Sequence, residues 1–123
     1  MKTAIVVLSD PKGGEEALGR LFNALAAAYD FKSREQEVQV LFQGTGTRWA
    51  GLLEAKDHPA HALYEAVQDK VAGVSSACSD VFGARESAKK SGYDFITGNA
   101  VPGTSGLPSL AKYAADGYTV MTF

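Results

Sequence analysis

Five consecutive apolar residues, Ala4-Ile5-Val6-Val7-Leu8, constrain this chain more than any other segment. A strand with one wet face alternates apolar and polar side chains. An unbroken, β-branched run fits a strand covered on both faces, which is the situation in a parallel sheet flanked by helices. The next residues obey the same logic. Ser9-Asp10-Pro11-Lys12-Gly13-Gly14 has turn chemistry, and Glu15 and Glu16 suit the first turn of a helix. Leu18, Leu21, Phe22, Leu25 and Tyr29 recur at three- and four-residue spacing, which predicts one apolar helix face ending near Asp30 to Lys32. Val38, Val40, Leu41 and Phe42 predict a second strand, closed by Gly44-Thr45-Gly46.

The alternation continues to the last residue. A short helix is expected from Thr47 to Leu53, then another from about Ala60 marked by Leu63, Ala66, Val67 and Lys70, with Asp57 or His58 as cap and Pro59 at the first helical position. Ala72 to Ala77 reads as a third strand, Asp80 to Lys90 as a third helix and Tyr93 to Thr97 as a short fourth strand. A loop from Gly98 to Pro108, a helix from Ser109 to Ala115, a cap at Gly117 and a strand from Tyr118 to Phe123 complete the chain. Strand and helix in strict alternation predict a three-layer α/β/α sandwich around a mostly parallel sheet. At 123 residues, one domain spanning residues 1–123 is expected.

Charge and cysteine content exclude several classes. A formal net charge of −2 offers no basic face for nucleic acid. A single cysteine excludes an internal disulfide and a multi-cysteine zinc site, and suits a reducing cytoplasm. The apolar run after Met1-Lys2-Thr3 is too short for a signal peptide, and no stretch approaches the roughly 20 apolar residues of a membrane span. No cofactor fingerprint is present: Gly13-Gly14 has neither phosphate-loop nor dinucleotide spacing, and Trp49 stands where the Gly44-Thr45-Gly46 loop would need a third glycine. His58 and His61 lack the further ligands of a metal site, so none is expected, and they read as a surface pair at a helix start. Trp49 and Tyr64 read as core or interface residues.

Cys78 is the candidate for chemistry. It ends the third apolar run, just before a helix expected to open at Ser79-Asp80. In open α/β sheets, ligands and reactive groups gather beyond the carboxyl ends of strands. The first amides of a helix are unpaired and lie at the positive end of its dipole, so they favour a thiolate, the nucleophilic form. Ser79 can cap that helix and donate to the sulfur. Asp80 acts the other way through its negative charge, and Arg85 follows a turn later.

These residues, in this order, resemble the DsrE-like family. The resemblance is carried by Ser9-Asp10-Pro11 after the first strand, the helix from Ala17 to Tyr29, and Leu41-Phe42-Gln43-Gly44-Thr45-Gly46. His58-Pro59 before a helix, Val74-Ser75-Ser76-Ala77-Cys78 leading into Phe82-Gly83-Ala84, and the closing Gly117 to Phe123 continue it. It implies a flavodoxin-like fold, a homo-oligomer and sulfur relay through a persulfide on a strand-end cysteine, here Cys78. Leu52, Leu53, Trp49 and Tyr64, read as surface residues of helices, are the apolar supply for that assembly.

Two readings follow. In one, the chain is a sulfurtransferase or carrier, with Cys78 accepting a sulfane sulfur from a donor protein and passing it to an acceptor. With no second cysteine, no internal disulfide relay is open to it. In the other, the chain is a small-molecule-binding or regulatory module, Cys78 is core, and a ligand occupies the crevice between the loops of Asp10, Gly46 and Cys78-Ser79.

Overall fold

A computed structural model describes residues Met1–Phe123. Five strands form one parallel sheet: β1 (Lys2–Val7), β2 (Glu37–Phe42), β3 (Val71–Ser75), β4 (Phe95–Ile96) and β5 (Tyr118–Thr122), in the order β4-β3-β2-β1-β5. The helices are α1 (Gly14–Ser33), α2 (His61–Val67), α3 (Ser76–Val81), α4 (Arg85–Lys90) and α5 (Leu110–Ala115).

Strand order decides where the helices lie. From β1 to β4 each strand is added on the same side of the last, and parallel crossovers are right-handed, so the helices along the way share one face. The step from β4 to β5 runs back across the whole sheet, which puts α5 on the other. The core agrees with this. Ile5, Val7, Val38, Val40, Phe42 and Val74 join Leu21, Leu25, Tyr64, Val67 and Ala88, from α1, α2 and α4, in a single cluster. Gln39 points the opposite way from Val38 and Val40, and Tyr113 of α5 donates a 2.6 Å hydrogen bond to its Oε1. Ala4, Val6 and Leu41 on that second face are buried as well. The three-layer α/β sandwich is therefore present, with one helical layer much thicker than the other.

Several local expectations give way. The buried stripe of α1 is Ala17, Leu21, Ala24, Leu25 and Ala28, whereas Phe22 and Tyr29 are 44% and 50% exposed. At about 100° per residue, Phe22 and Tyr29 sit roughly a quarter turn from the centre of that stripe, and the alanines let the helix lie close to the sheet. The segment after β2 is a 3-10 helix, Gly44–Trp49, rather than a helix from Thr47 to Leu53. Helix α2 starts at His61 with Ala60 as its cap residue, so Pro59 lies outside it; the His58 ring instead accepts the Ala60 N–H at 3.1 Å. Trp49, Leu53 and Tyr64 are core residues, leaving Leu52 alone of the four expected surface residues exposed. The expected helix from Asp80 to Lys90 is two helices, α3 and α4, parted at Phe82-Gly83-Ala84 where Gly83 has φ +68°. No helix is long and apolar enough to cross a membrane.

Candidate functional site

The loops after β1, β2 and β3 meet at one end of the sheet. Asp10 caps the 3-10 turn Pro11–Gly13 by accepting the Lys12 N–H at 2.9 Å, and its other oxygen pairs with Arg48 at 2.8 Å. Arg48 also donates from Nε to the Phe82 carbonyl at 3.1 Å and lies over the Phe82 ring, 5.6 Å from its centre. One guanidinium thus ties together the β1 loop, the Gly44–Trp49 segment and the end of α3. Trp49 Nε1 donates to the Ser9 carbonyl at 2.9 Å and Thr45 donates to the Leu8 carbonyl at 3.1 Å, closing the same seam.

Gly46 makes this approach possible. A Cβ there would stand 2.1 Å from the Val7 carbonyl oxygen, so only glycine allows the 3-10 segment to lie against the end of β1. Its role is steric, and it offers no surface to a ligand because it is buried.

Helix α3 opens earlier than its sequence suggests. Ser75 is the N-cap, its Oγ accepting the Cys78 N–H at 3.4 Å, and Ser79 is not a cap: its hydroxyl is fully buried and donates back to the Ser75 carbonyl at 2.8 Å. Cys78 therefore lies within the first helical turn rather than before it. Two of the amides there already have partners, since Ala77 N–H donates to the Gly106 carbonyl at 2.8 Å and Cys78 N–H to Ser75 Oγ. What decides the helix start is the Ser105-Gly106 segment of the long loop, which reaches α3 from 29 residues away.

Cys78 is a free thiol, 8% exposed. Asp80 lies two residues on, which at about 100° per residue puts it about 160° around the helix, away from the sulfur. Its carboxylate pairs with Arg85 and accepts the Ser105 hydroxyl at 2.9 Å, and these bonds, Arg85 first, hold its pKa below the usual carboxylate range. Arg85 further donates to Ser76 Oγ at 2.6 Å and stacks 4.3 Å over Phe95. The charge expected to oppose a Cys78 thiolate is thus directed elsewhere and paired.

Beyond the end of α3 lies an open crevice of about 460 Å³, lined by Pro11, Lys12, Arg48, Leu52, Phe82 and Gly83, with Cys78 outside its lining. Phe82 donates its N–H to the Cys78 carbonyl, one turn along the same side of the helix. Of the residues expected to border a crevice, Asp10 lines a separate hollow with Ser9, Glu16 and Arg20, Cys78 lies one helical turn before Phe82 and outside the lining, and Gly46 and Ser79 are buried. Lys12, Arg48, Leu52 and Phe82 are the residues the sequence reading missed. A cation in or just beyond each of two strand-end turns, Lys12 between Pro11 and Gly13 and Arg48 two residues after Gly46, was the available signal.

The two histidines do not converge on a common point. His61 bonds the Leu53 carbonyl through Nδ1 at 2.8 Å and Glu65 through Nε2 at 3.0 Å, while His58 packs edge-on to Trp49. No group of three or more His, Cys, Asp or Glu side chains is placed to hold a metal ion.

Comparison with known proteins agrees with this architecture. The chain is 27% identical over 124 residues to an uncharacterised protein, MJ0733, of Methanocaldococcus jannaschii, covering 98% of this chain and 94% of that one. Among solved structures it resembles the ychN protein of Escherichia coli, with a TM-score of 0.58 and 19% identity over the full length of both chains. A conserved protein of unknown function from Bacteroides thetaiotaomicron, BT1422, superposes with a TM-score of 0.58 at 14% identity, covering 98% of this chain and 94% of that one. These two likenesses establish the fold, and the model of the DsrE/DsrF-like family matches residues 1–123, so the chain belongs to the DsrE/DsrF-like family.

Proposed function

We propose that this protein is a cytoplasmic sulfur-relay protein, working as a homo-oligomer, in which Cys78 accepts a sulfane sulfur as a persulfide and hands it to an acceptor. The observation that carries the reading is the position of the sole thiol: just past the carboxyl end of β3, in the first turn of α3. Family membership supports it. The Cys78 thiolate attacks the outer sulfur of a donor persulfide, the donor's S–S bond breaks, and the donor departs as a thiolate. With no second cysteine, the persulfide has no internal thiol to discharge it and waits for another molecule.

The test is mass measurement after incubation with a cysteine desulfurase and cysteine, and separately with small persulfides. Loading adds about 32 Da, one sulfur atom, and dithiothreitol removes it by thiol exchange. Cys78→Ser gains nothing while keeping the wild-type circular dichroism. The second reading, a binding module without chemistry, draws on the low exposure of Cys78 and on a crevice of small-molecule size between the strand-end loops. A folded protein whose Cys78 takes sulfur from none of the donors favours that module.

A further inference from the structure

The two edges of the sheet are built differently. At one edge stands β4, 2 residues long, with the Arg85 guanidinium 4.3 Å over its Phe95 ring. Shortness and a nearby charge are two of the usual guards of an edge strand. At the other edge stands β5, 5 residues long and paired with β1 alone. The stretch from Tyr118 to Phe123 contains no charged residue and no proline, and its β-branched and aromatic side chains suit a strand. Thr119, Met121 and Thr122 are exposed. An edge left this bare is a template for another strand.

The last residue shows which main-chain groups of β5 are free. Phe123 donates its N–H to the Val6 carbonyl at 2.9 Å and accepts the Leu8 N–H at 2.7 Å, so both its groups point at β1. By the alternation of a strand, those of Thr119 and Met121 do the same, while those of Tyr118, Val120 and Thr122 point away from the sheet. Antiparallel pairing of two copies about a twofold axis at Val120 satisfies all of these outward groups at once. Val120 exchanges both bonds with the partner's Val120, and Tyr118 exchanges both with the partner's Thr122. A slip by two residues leaves some of them unpaired. The side chains fit the same register: Val120 meets Val120 and Tyr118 meets Thr122 on one face, Thr119 meets Met121 on the other, and no like charges oppose. The strand is thus complementary to itself, as a twofold contact requires.

We infer that β5 is the edge through which two copies of this chain join, antiparallel at Val120, into one continuous sheet with α5 of both copies on the same side. The inference rests on the homo-oligomer part of the proposed function and names its contact surface; it is independent of sulfur relay.

Disulfide capture tests the register. Thr119→Cys and Met121→Cys are each made in a Cys78→Ser chain, then oxidised singly and as a mixture. In the inferred register Thr119 stands opposite the partner's Met121, with Cα atoms about 4.5 Å apart. Like positions are diagonal neighbours at about 7–8 Å, beyond the reach of a disulfide. The mixture is expected to form a linked dimer at least about tenfold faster than either variant alone. Val120→Pro supplies a second measurement. The N–H it removes points away from β1, so the chain keeps its own ladder and its wild-type circular dichroism while the contact loses two hydrogen bonds. Sedimentation should show association weakened about tenfold. If Val120→Pro does not fold, the capture result alone decides. A mixture that links no faster than the single variants, or a folded Val120→Pro that associates like wild type, overturns the inference. If wild type is nevertheless oligomeric, the homo-oligomer reading stands and the β5 edge alone falls. A wild type that sediments as a monomer at micromolar concentration removes both.

Discussion

Gly46→Ala is the substitution whose cost the geometry fixes most tightly. The added methyl would stand 2.1 Å from the Val7 carbonyl oxygen, 2.8 Å from its carbon and 3.3 Å from the Leu8 nitrogen. Non-bonded heavy atoms settle at about 3.5 Å or more, so the 3-10 segment must retreat from β1 by more than about 1 Å. All three obstructing atoms are main chain, and no rotamer change relieves them. Overpacking of this kind costs about 1–3 kcal/mol. The upper figure applies, because the same retreat strains the Trp49–Ser9 and Arg48–Asp10 contacts. With an unfolding entropy of about 2.1 cal/mol/K per residue, a loss of about 3 kcal/mol lowers Tm by about 12 °C in a chain of this size. Gly83→Ala is the comparison. Its backbone is left-handed at φ +68° but nothing lies within 4 Å, so it loses only the roughly 1 kcal/mol of that conformation. Calorimetry of the two variants decides the matter, and iodoacetamide labelling of native Cys78 should accelerate in Gly46→Ala alone as the seam opens. Equal losses of Tm in the two variants would refute the close approach on which the site's construction depends.

Other consequences are simpler to state. Trp49→Phe removes the indole donor to the Ser9 carbonyl and part of a buried ring, at a cost of about 2 kcal/mol, read from the urea midpoint by circular dichroism. In wild type the emission of this sole tryptophan should shift to the red on unfolding. Asp80 has a depressed pKa because Arg85 and Ser105 bind its carboxylate, so its contribution to stability is complete above the unfolded carboxyl value of about 3.9 and disappears as pH falls through the folded value. Asp80→Asn should accordingly weaken the protein at neutral pH and converge with wild type in strong acid; parallel stability curves across that range would show the pair to be idle.

Residue patterns near one another in the chain were the legible ones. The unbroken apolar run of β1 and the mixed pattern Val38, Val40, Leu41, Phe42 of β2 specify a covered parallel sheet, because burial on both faces leaves no room for polar alternation. That the sole thiol stands just past a strand end was legible too. Its exact setting was not. Ser75 and Ser79 are equally able caps, and the choice between them falls to the Gly106 carbonyl bonded to Ala77 and to Ser105 bonded to Ser76, contacts no local pattern encodes. Phe22 and Tyr29 misled for a related reason: which side of an amphipathic helix meets the sheet depends on how near the alanine stripe lets it come.

The sequence by itself determined the alternation of strand and helix, the parallel sheet and the one residue able to act as a thiol nucleophile, since each follows from side-chain periodicity and composition within a few residues. Tertiary structure alone decided the crevice. Asp10 and Arg48 are 38 residues apart and Arg48 and Phe82 are 34 apart. They meet because parallel pairing brings the ends of β1, β2 and β3 side by side and Gly46 lets two of their loops touch. A site assembled from separate strand ends takes its geometry from strand order and register, which side-chain spacing along the chain does not contain.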